Sequence, residues 1–124
     1  FEMDSAHHLC EYDGACKNIH GHHYFLSVNI RRRIDPQTGM VLDYKELKQI
    51  VNDQVVSKLD HAYINKVLGH DKTTCENILI WLWSRLEQVG LLKGIVRLEL
   101  KETPSTSCAI TSDDMLEWYQ IKKV

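Results

Sequence analysis

The 124-residue chain predicts an α+β fold, an antiparallel sheet in ββααββ order with two helices packed on one face. Three observations predict it. Side-chain character alternates with period two over 1–7, 20–34 and 95–102. Between those stretches, 43–59 and 73–90 carry apolar residues at helical spacing. Each helical segment opens on a capping signal, and the second closes on Gly90.

Taken in order, Phe1, Met3, Ser5 and His7 share one face of the first strand, and Glu2, Asp4, Ala6 and His8 share the other. Residues 11–18 are polar and contain Gly14, which predicts a loop. In the second strand His20, His22, Tyr24, Leu26, Val28 and Ile30 lie on one face, with His23, Phe25, Ser27, Asn29 and Arg31 opposite. Asp35-Pro36-Gln37-Thr38-Gly39 is a turn. Asp43 opens the first helix with Glu46 as its capping-box partner, and Tyr44, Leu47, Ile50, Val51, Val55 and Leu59 form its apolar face. Residues 60–72 read as irregular. Thr73-Thr74-Cys75-Glu76 is a second capping box, ahead of Ile78, Leu82, Leu86 and Val89. Val96, Leu98, Leu100 and Glu102 share a strand face that ends at Pro104, and 107–111 is its expected partner strand. The tail from Asp113 is legible as either a short helix or a last strand.

Residues 1–124 therefore read as one domain, large enough to bury a core. A composition of 44% hydrophobic and 26% charged residues excludes a disordered chain. A net charge of −2, with no patterned aromatic platform, argues against nucleic acid as a partner. No run reaches membrane-spanning length, and no signal peptide is visible. The chain begins at Phe1 rather than methionine, so residues are expected to precede it. Arg31-Arg32-Arg33 reads as a solvated strand end, with an anion site as the alternative. Cysteines 10, 16, 75 and 108 show no CxxC spacing, which points to a reducing cytoplasm.

The richest segment is Cys16-Lys17-Asn18-Ile19-His20-Gly21-His22-His23-Tyr24. Histidines two apart on a strand point the same way. His20 and His22 continue the apolar face of their strand, as His7 does in the first, while His8 and His23 point away. If the strands pair, His7, His20 and His22 converge, and three neutral imidazoles leave one tetrahedral position open, as in catalytic zinc sites. A polar turn with satisfied histidines is the plainer reading, and a closed structural site using Cys10 or Cys16 is another.

Cys16 could be a small buried hydrophobe. Beside a cation site and Lys17, it could instead move protons or act as a nucleophile. Cys75 and Cys108 look structural, and Cys10 is undecided. Glu102 is a carboxylate in phase with an apolar face, so it must be paired, reach water or meet a ligand. Its two oxygens suit an amidine-like edge with two parallel N–H donors. Sequence physics alone reads Asp60-His61 as a surface pair, and His70-Asp71 has no better claim.

These residues also carry a resemblance. Ser5-Ala6-His7-His8-Leu9, Cys16-x3-His20-Gly21-His22-His23-Tyr24, Gly39-Met40-Val41-Leu42-Asp43-Tyr44, Leu59-Asp60-His61, Thr73-Thr74-Cys75-Glu76-Asn77 and Glu102-Thr103-Pro104 stand in order along almost the whole chain. Together they make it similar to the 6-pyruvoyltetrahydropterin synthase and 6-carboxytetrahydropterin synthase family. The resemblance implies the T-fold, whose sheets join side by side into trimeric barrels stacked as homohexamers, with active sites between subunits. It implies that His7, His20 and His22 bind zinc (Zn2+). It makes Cys16, Asp60 and His61 catalytic, with His61 transferring protons and Asp60 orienting it. It makes Glu102 the holder of the pterin ring and places Thr73 and Thr74 along the pterin pocket. A three-residue gap between Cys16 and His20, and Ser105-Thr106-Ser107 after Glu-Thr-Pro, resemble the bacterial 6-carboxytetrahydropterin synthases.

The expected function is then a zinc-dependent lyase of queuosine biosynthesis. It converts 7,8-dihydroneopterin triphosphate to 6-carboxy-5,6,7,8-tetrahydropterin, acetaldehyde and triphosphate. A pyruvoyl-type enzyme that eliminates triphosphate without cleaving the side chain is the alternative, and a non-catalytic zinc-stabilised assembly module is a third reading. The tail after Thr111 departs from the family pattern.

Overall fold

A computed structural model of the chain describes residues 1–9, 14–90 and 93–122. It is an α+β fold built on five strands in the order β3-β1-β2-β4-β5. These are β1 (Glu2–His7), β2 (His20–Ile30), β3 (Ala62–Tyr63), β4 (Ile95–Thr103) and β5 (Thr106–Thr111). All neighbours are antiparallel except β3, which pairs parallel with β1 through Ser5 and Ala6. The short β3 and the helix α3 (Ile64–Leu68) replace the irregular stretch expected over 60–72. A two-residue strand is too short to show a period, so alternation could not reveal it.

The alternation in β2 holds along its length. Tyr24 and Leu26 are buried, while Gly21, His23, Phe25, Ser27 and Asn29 are exposed. The first helical segment is α1 (Tyr44–Val51), a π turn (Asn52–Val56) and α2 (Ser57–Leu59). Val51, Val55 and Leu59 are all buried. Their strict four-residue spacing overshoots a 3.6-residue turn by about 40° per step, and the wider turn keeps them on one face. Two expectations here are corrected. The Asp43 carboxylate accepts from the Lys45 N–H at 2.8 Å, not from the Glu46 N–H that a capping box uses. Tyr44 is 79% exposed, because it lies in the first turn, ahead of the buried stretch that begins at Val51.

The second helix is α4 (Cys75–Val89). Its N-cap is Thr74, whose hydroxyl accepts from the Asn77 N–H at 3.2 Å, one residue later than the Thr73–Glu76 box predicts. Gly90 ends it at φ +69°, as its position after the apolar run predicts. Ile78, Leu79, Leu82, Trp83 and Leu86 of α4 meet Leu98 and Leu100 of β4 in the core with Met3, Tyr24 and Leu26. In β4 the face is re-phased by a bulge at Asn29/Ile30. Ile30 pairs with Ile95, and Ile95 rather than Val96 is buried.

The ambiguous tail is a helix, α5 (Ser112–Lys122). Thr111 and Asp114 form a reciprocal cap. The Asp114 N–H donates to Thr111 Oγ1 at 3.2 Å, and the Thr111 N–H donates to Asp114 Oδ2 at 2.9 Å. Met115 of α5 joins the core. Among the described residues, no helix is long and apolar enough to cross a membrane.

Candidate metal centre and pocket

Three imidazoles meet where β1 and β2 pair. The register sets His7 opposite His20 and Ser5 opposite His22. Ring centroids are 4.6 Å apart for His7–His20, 4.9 Å for His20–His22 and 5.3 Å for His7–His22. One ring nitrogen from each lies within 4.8 Å of the other two. The His7 Nδ1–H donates to the Thr73 carbonyl at 2.8 Å, and the His20 Nδ1–H donates to the Asn18 carbonyl at 2.8 Å. Each bond fixes the tautomer that leaves Nε2 with its lone pair free.

The donor set fits a divalent metal such as zinc. His7 is 2% exposed, and among the described residues its buried Nε2 makes no hydrogen bond. An orphaned acceptor of this kind is costly unless a ligand completes it. Burial lowers the pKa of His7 below the ordinary 6.5, against the opposing Thr73 hydrogen bond, and burial also lowers that of His22, opposed by Glu102. Both therefore favour the neutral form that binds metal.

Glu102 stands at the mouth of this cluster. Its Oε1 is 3.5 Å from both His7 Nε2 and His22 Nε2. It lies where the β4–β5 ladder shifts between Lys101 and Thr103, so the bulge leaves it as the unpaired extra residue and aims its side chain. Glu102 also lines a cavity of about 180 Å³ with Cys75, Glu76, Thr106, Ser107 and Cys108. Burial pushes the Cys75 and Cys108 thiols up, in keeping with a structural reading of both.

A pH titration of the metal-free protein follows the same logic. His7 and His22 should titrate below pH 6.5 by NMR. His23 should titrate above it, because Asp4 at 2.6 Å and then Glu2 at 3.1 Å hold its proton. For His7 and His22 the unfolded chain binds protons more readily than the folded one. Their contribution to stability is complete above pH 6.5 and is lost as the pH falls through their folded values. A His7 resonance titrating at or above 6.5 would contradict the burial argument.

The other expected residues are placed as follows. Cys16 sits in a 3₁₀ turn (Ala15–Lys17), and its carbonyl accepts from the Leu9 N–H at 2.8 Å. That bond ties the turn to the end of β1, two residues beyond His7. The Asp60 Oδ2 is 3.2 Å from His61 Nδ1, and its Oδ1 accepts from the Asp4 N–H at 2.9 Å. His61 is held at φ +57° with its N–H on the Asp4 carbonyl at 2.6 Å. The pair groups with Asp4 and His23 on the exposed face of β1, opposite the three clustered histidines. Thr73 is buried with its carbonyl on His7, and Thr74 caps α4. His70 accepts from the Lys72 N–H at 3.1 Å. Arg32 donates to the Lys93 carbonyl at 2.5 Å, while Arg31 and Arg33 are exposed. Cys10 lies outside the described residues.

Sequence reasoning missed two neighbours. Tyr24 is 2% exposed, and burial followed by the nearby Glu102 charge raises its pKa. Its phase with His20 and His22 was a visible signal. Asp4 touches His23 with its side chain and Asp60 and His61 with its backbone. No local pattern could announce contacts 56 residues apart.

The chain is similar to known proteins over most of its length. Residues 1–113 match the family described as 6-pyruvoyl tetrahydropterin synthase. The chain is 33% identical over 107 residues to the 6-carboxy-5,6,7,8-tetrahydropterin synthase of Synechocystis, covering 83% of this chain and 82% of that one. It is 32% identical to the enzyme of the same name from Haemophilus influenzae, over 87% of this chain and 92% of that one. A solved 6-pyruvoyl tetrahydropterin synthase from Caenorhabditis elegans superposes with a TM-score of 0.82 at 26% identity, covering 90% of this chain and 91% of that one. The expected T-fold is thus the fold observed.

Proposed function

The chain belongs to the 6-pyruvoyl tetrahydropterin synthase family, and from that premise we propose that it is a zinc-dependent 6-carboxytetrahydropterin synthase. Its substrate is 7,8-dihydroneopterin triphosphate, and its products are 6-carboxy-5,6,7,8-tetrahydropterin, acetaldehyde and triphosphate. The observation that carries this reading is the convergence of His7, His20 and His22 on one point, with the Glu102 carboxylate beside it. The carboxy product is supported by the three-residue gap between Cys16 and His20 and by the names of the Synechocystis and Haemophilus relatives.

His7, His20 and His22 would hold the zinc, which supplies Lewis-acid polarisation of the substrate's side-chain oxygens. Glu102 accepts two N–H bonds from the amino-pyrimidine edge of the pterin and sets its side chain over the histidines. On this reading Thr73 and Thr74 would line the pterin pocket. Cys16 and His61 carry protons to and from the side-chain carbons and hydroxyls, and Asp60 orients His61. In one chain Asp60 and His61 lie on the opposite face of β1 from the histidine cluster. This favours active sites shared between subunits of a homohexamer, which would bring the two sets together. The setting is the cytoplasmic queuosine pathway.

Glu102→Ala should retain the metal but bind a reduced pterin roughly 10- to 100-fold more weakly, the loss of charge-assisted hydrogen bonds. Calorimetry reads this directly, and unchanged affinity would remove the anchor. The product itself separates the two reactions. Acetaldehyde released from dihydroneopterin triphosphate supports the carboxy enzyme. A product that keeps its three-carbon side chain supports the pyruvoyl reaction, the reading favoured by the Caenorhabditis structural likeness.

A further inference from the structure

We propose that Asn65 is the positioning residue of the metal centre. The inference rests on the reading of His7, His20 and His22 as metal ligands. Asn65 lies in the first turn of α3 and is only 5% exposed. A buried amide must account for its hydrogen bonds, and this one is fully engaged. Its Oδ1 accepts from the His8 N–H at 3.1 Å and from the Thr73 hydroxyl at 3.1 Å. Its Nδ2 donates to the His8 carbonyl at 2.9 Å and to Asp71 Oδ1 at 3.2 Å. A flipped amide would set NH2 against the His8 N–H and oxygen against the His8 carbonyl, so the network fixes the orientation.

The partners make this more than a satisfied core asparagine. His8 follows His7 directly, so two bonds to its backbone hold the end of β1. Thr73 supplies the carbonyl that accepts from His7 Nδ1–H at 2.8 Å. Its hydroxyl reaches both Asn65 and the His8 carbonyl, at 3.1 and 3.2 Å. One side chain therefore holds both the strand carrying His7 and the group that sets the tautomer and rotation of its ring. His7 is the most buried of the three histidines, and among the described residues its buried Nε2 makes no hydrogen bond, with only the Glu102 carboxylate nearby at 3.5 Å. Partners that orient a ligand contribute to metal affinity without touching the metal. No hydrophobic period marks Asn65 for this role, because its partners lie 57 residues before it and 8 after it.

The test measures zinc affinity of the folded protein by competition with a chelator. Asn65→Leu keeps the branched heavy-atom shape but loses the amide, and Thr73→Val keeps the shape but loses the hydroxyl. Each should weaken zinc by roughly 10- to 100-fold. The double variant should lose less than the two combined, since both break one network. Thr73→Ser, which keeps the hydroxyl, should restore the affinity. The His7 Nδ1–H resonance should be protected in the parent and in Thr73→Ser, and exchange faster in Thr73→Val. Thr73→Val stands alone if Asn65→Leu does not fold. Lowered melting temperature with unchanged zinc affinity in Thr73→Val would make Asn65 merely structural and overturn the proposal. Failure of the parent protein itself to bind zinc through His20 would overturn the metal reading as well, and it shows before any Asn65 variant is made.

Discussion

A Cys16→Ala protein is expected to hold zinc and bind pterin like the parent while turnover falls by roughly 10²- to 10⁴-fold, the range for losing a proton-transfer group. Cys16 is outside the histidine cluster, in the turn Ala15–Lys17 that a backbone bond ties to the end of β1. Its removal should thus spare both the metal and the Glu102 anchor. Zinc content, pterin affinity and acetaldehyde release measured on one preparation separate the roles. Lost zinc would make Cys16 a ligand and the site a closed one. Full turnover would leave it as a packing residue.

The second large effect concerns strand register. His22 and His23 are adjacent, yet only His22 joins His7 and His20. His23 lies on the other face, against Asp4 and Glu2. His22→Ala should therefore lose zinc, by more than the roughly 10- to 100-fold that follows loss of a ligand's partner, and should lose turnover with it. His23→Ala should keep its zinc. Metal analysis after dialysis reads both variants, and equal zinc retention in the two would refute the assignment of faces.

Much of this site could be read from local pattern. The two-residue spacing of His20 and His22 placed both rings on one face, and the phase of His7 made it the third. Glu102 stood out because a carboxylate interrupted an apolar face, and it lies 3.5 Å from two of those histidines. The capping signals at Asp43 and Thr73-Thr74 located both helices to within a residue. The cap between Thr111 and Asp114 was equally visible, and it would have decided the tail as a helix. The resemblance to pterin synthases alone gave Asp60-His61 a catalytic role, since sequence physics read the pair as a surface one and an Asp-His pair has no period to betray it.

The sequence by itself determined the periodic elements, the faces of β1 and β2, and hence which histidines could meet. Those follow from repeats of two and 3.6 residues, which are properties of a single segment. Only the tertiary structure decided the bulge that aims Glu102, the parallel strand β3, and the placement of Asp60 and His61 on the other face of β1 from the histidines. It alone decided how His7 is held, through Thr73 and Asn65. These depend on hydrogen bonds between segments distant in the chain, and such bonds exist only once the core has brought the segments together.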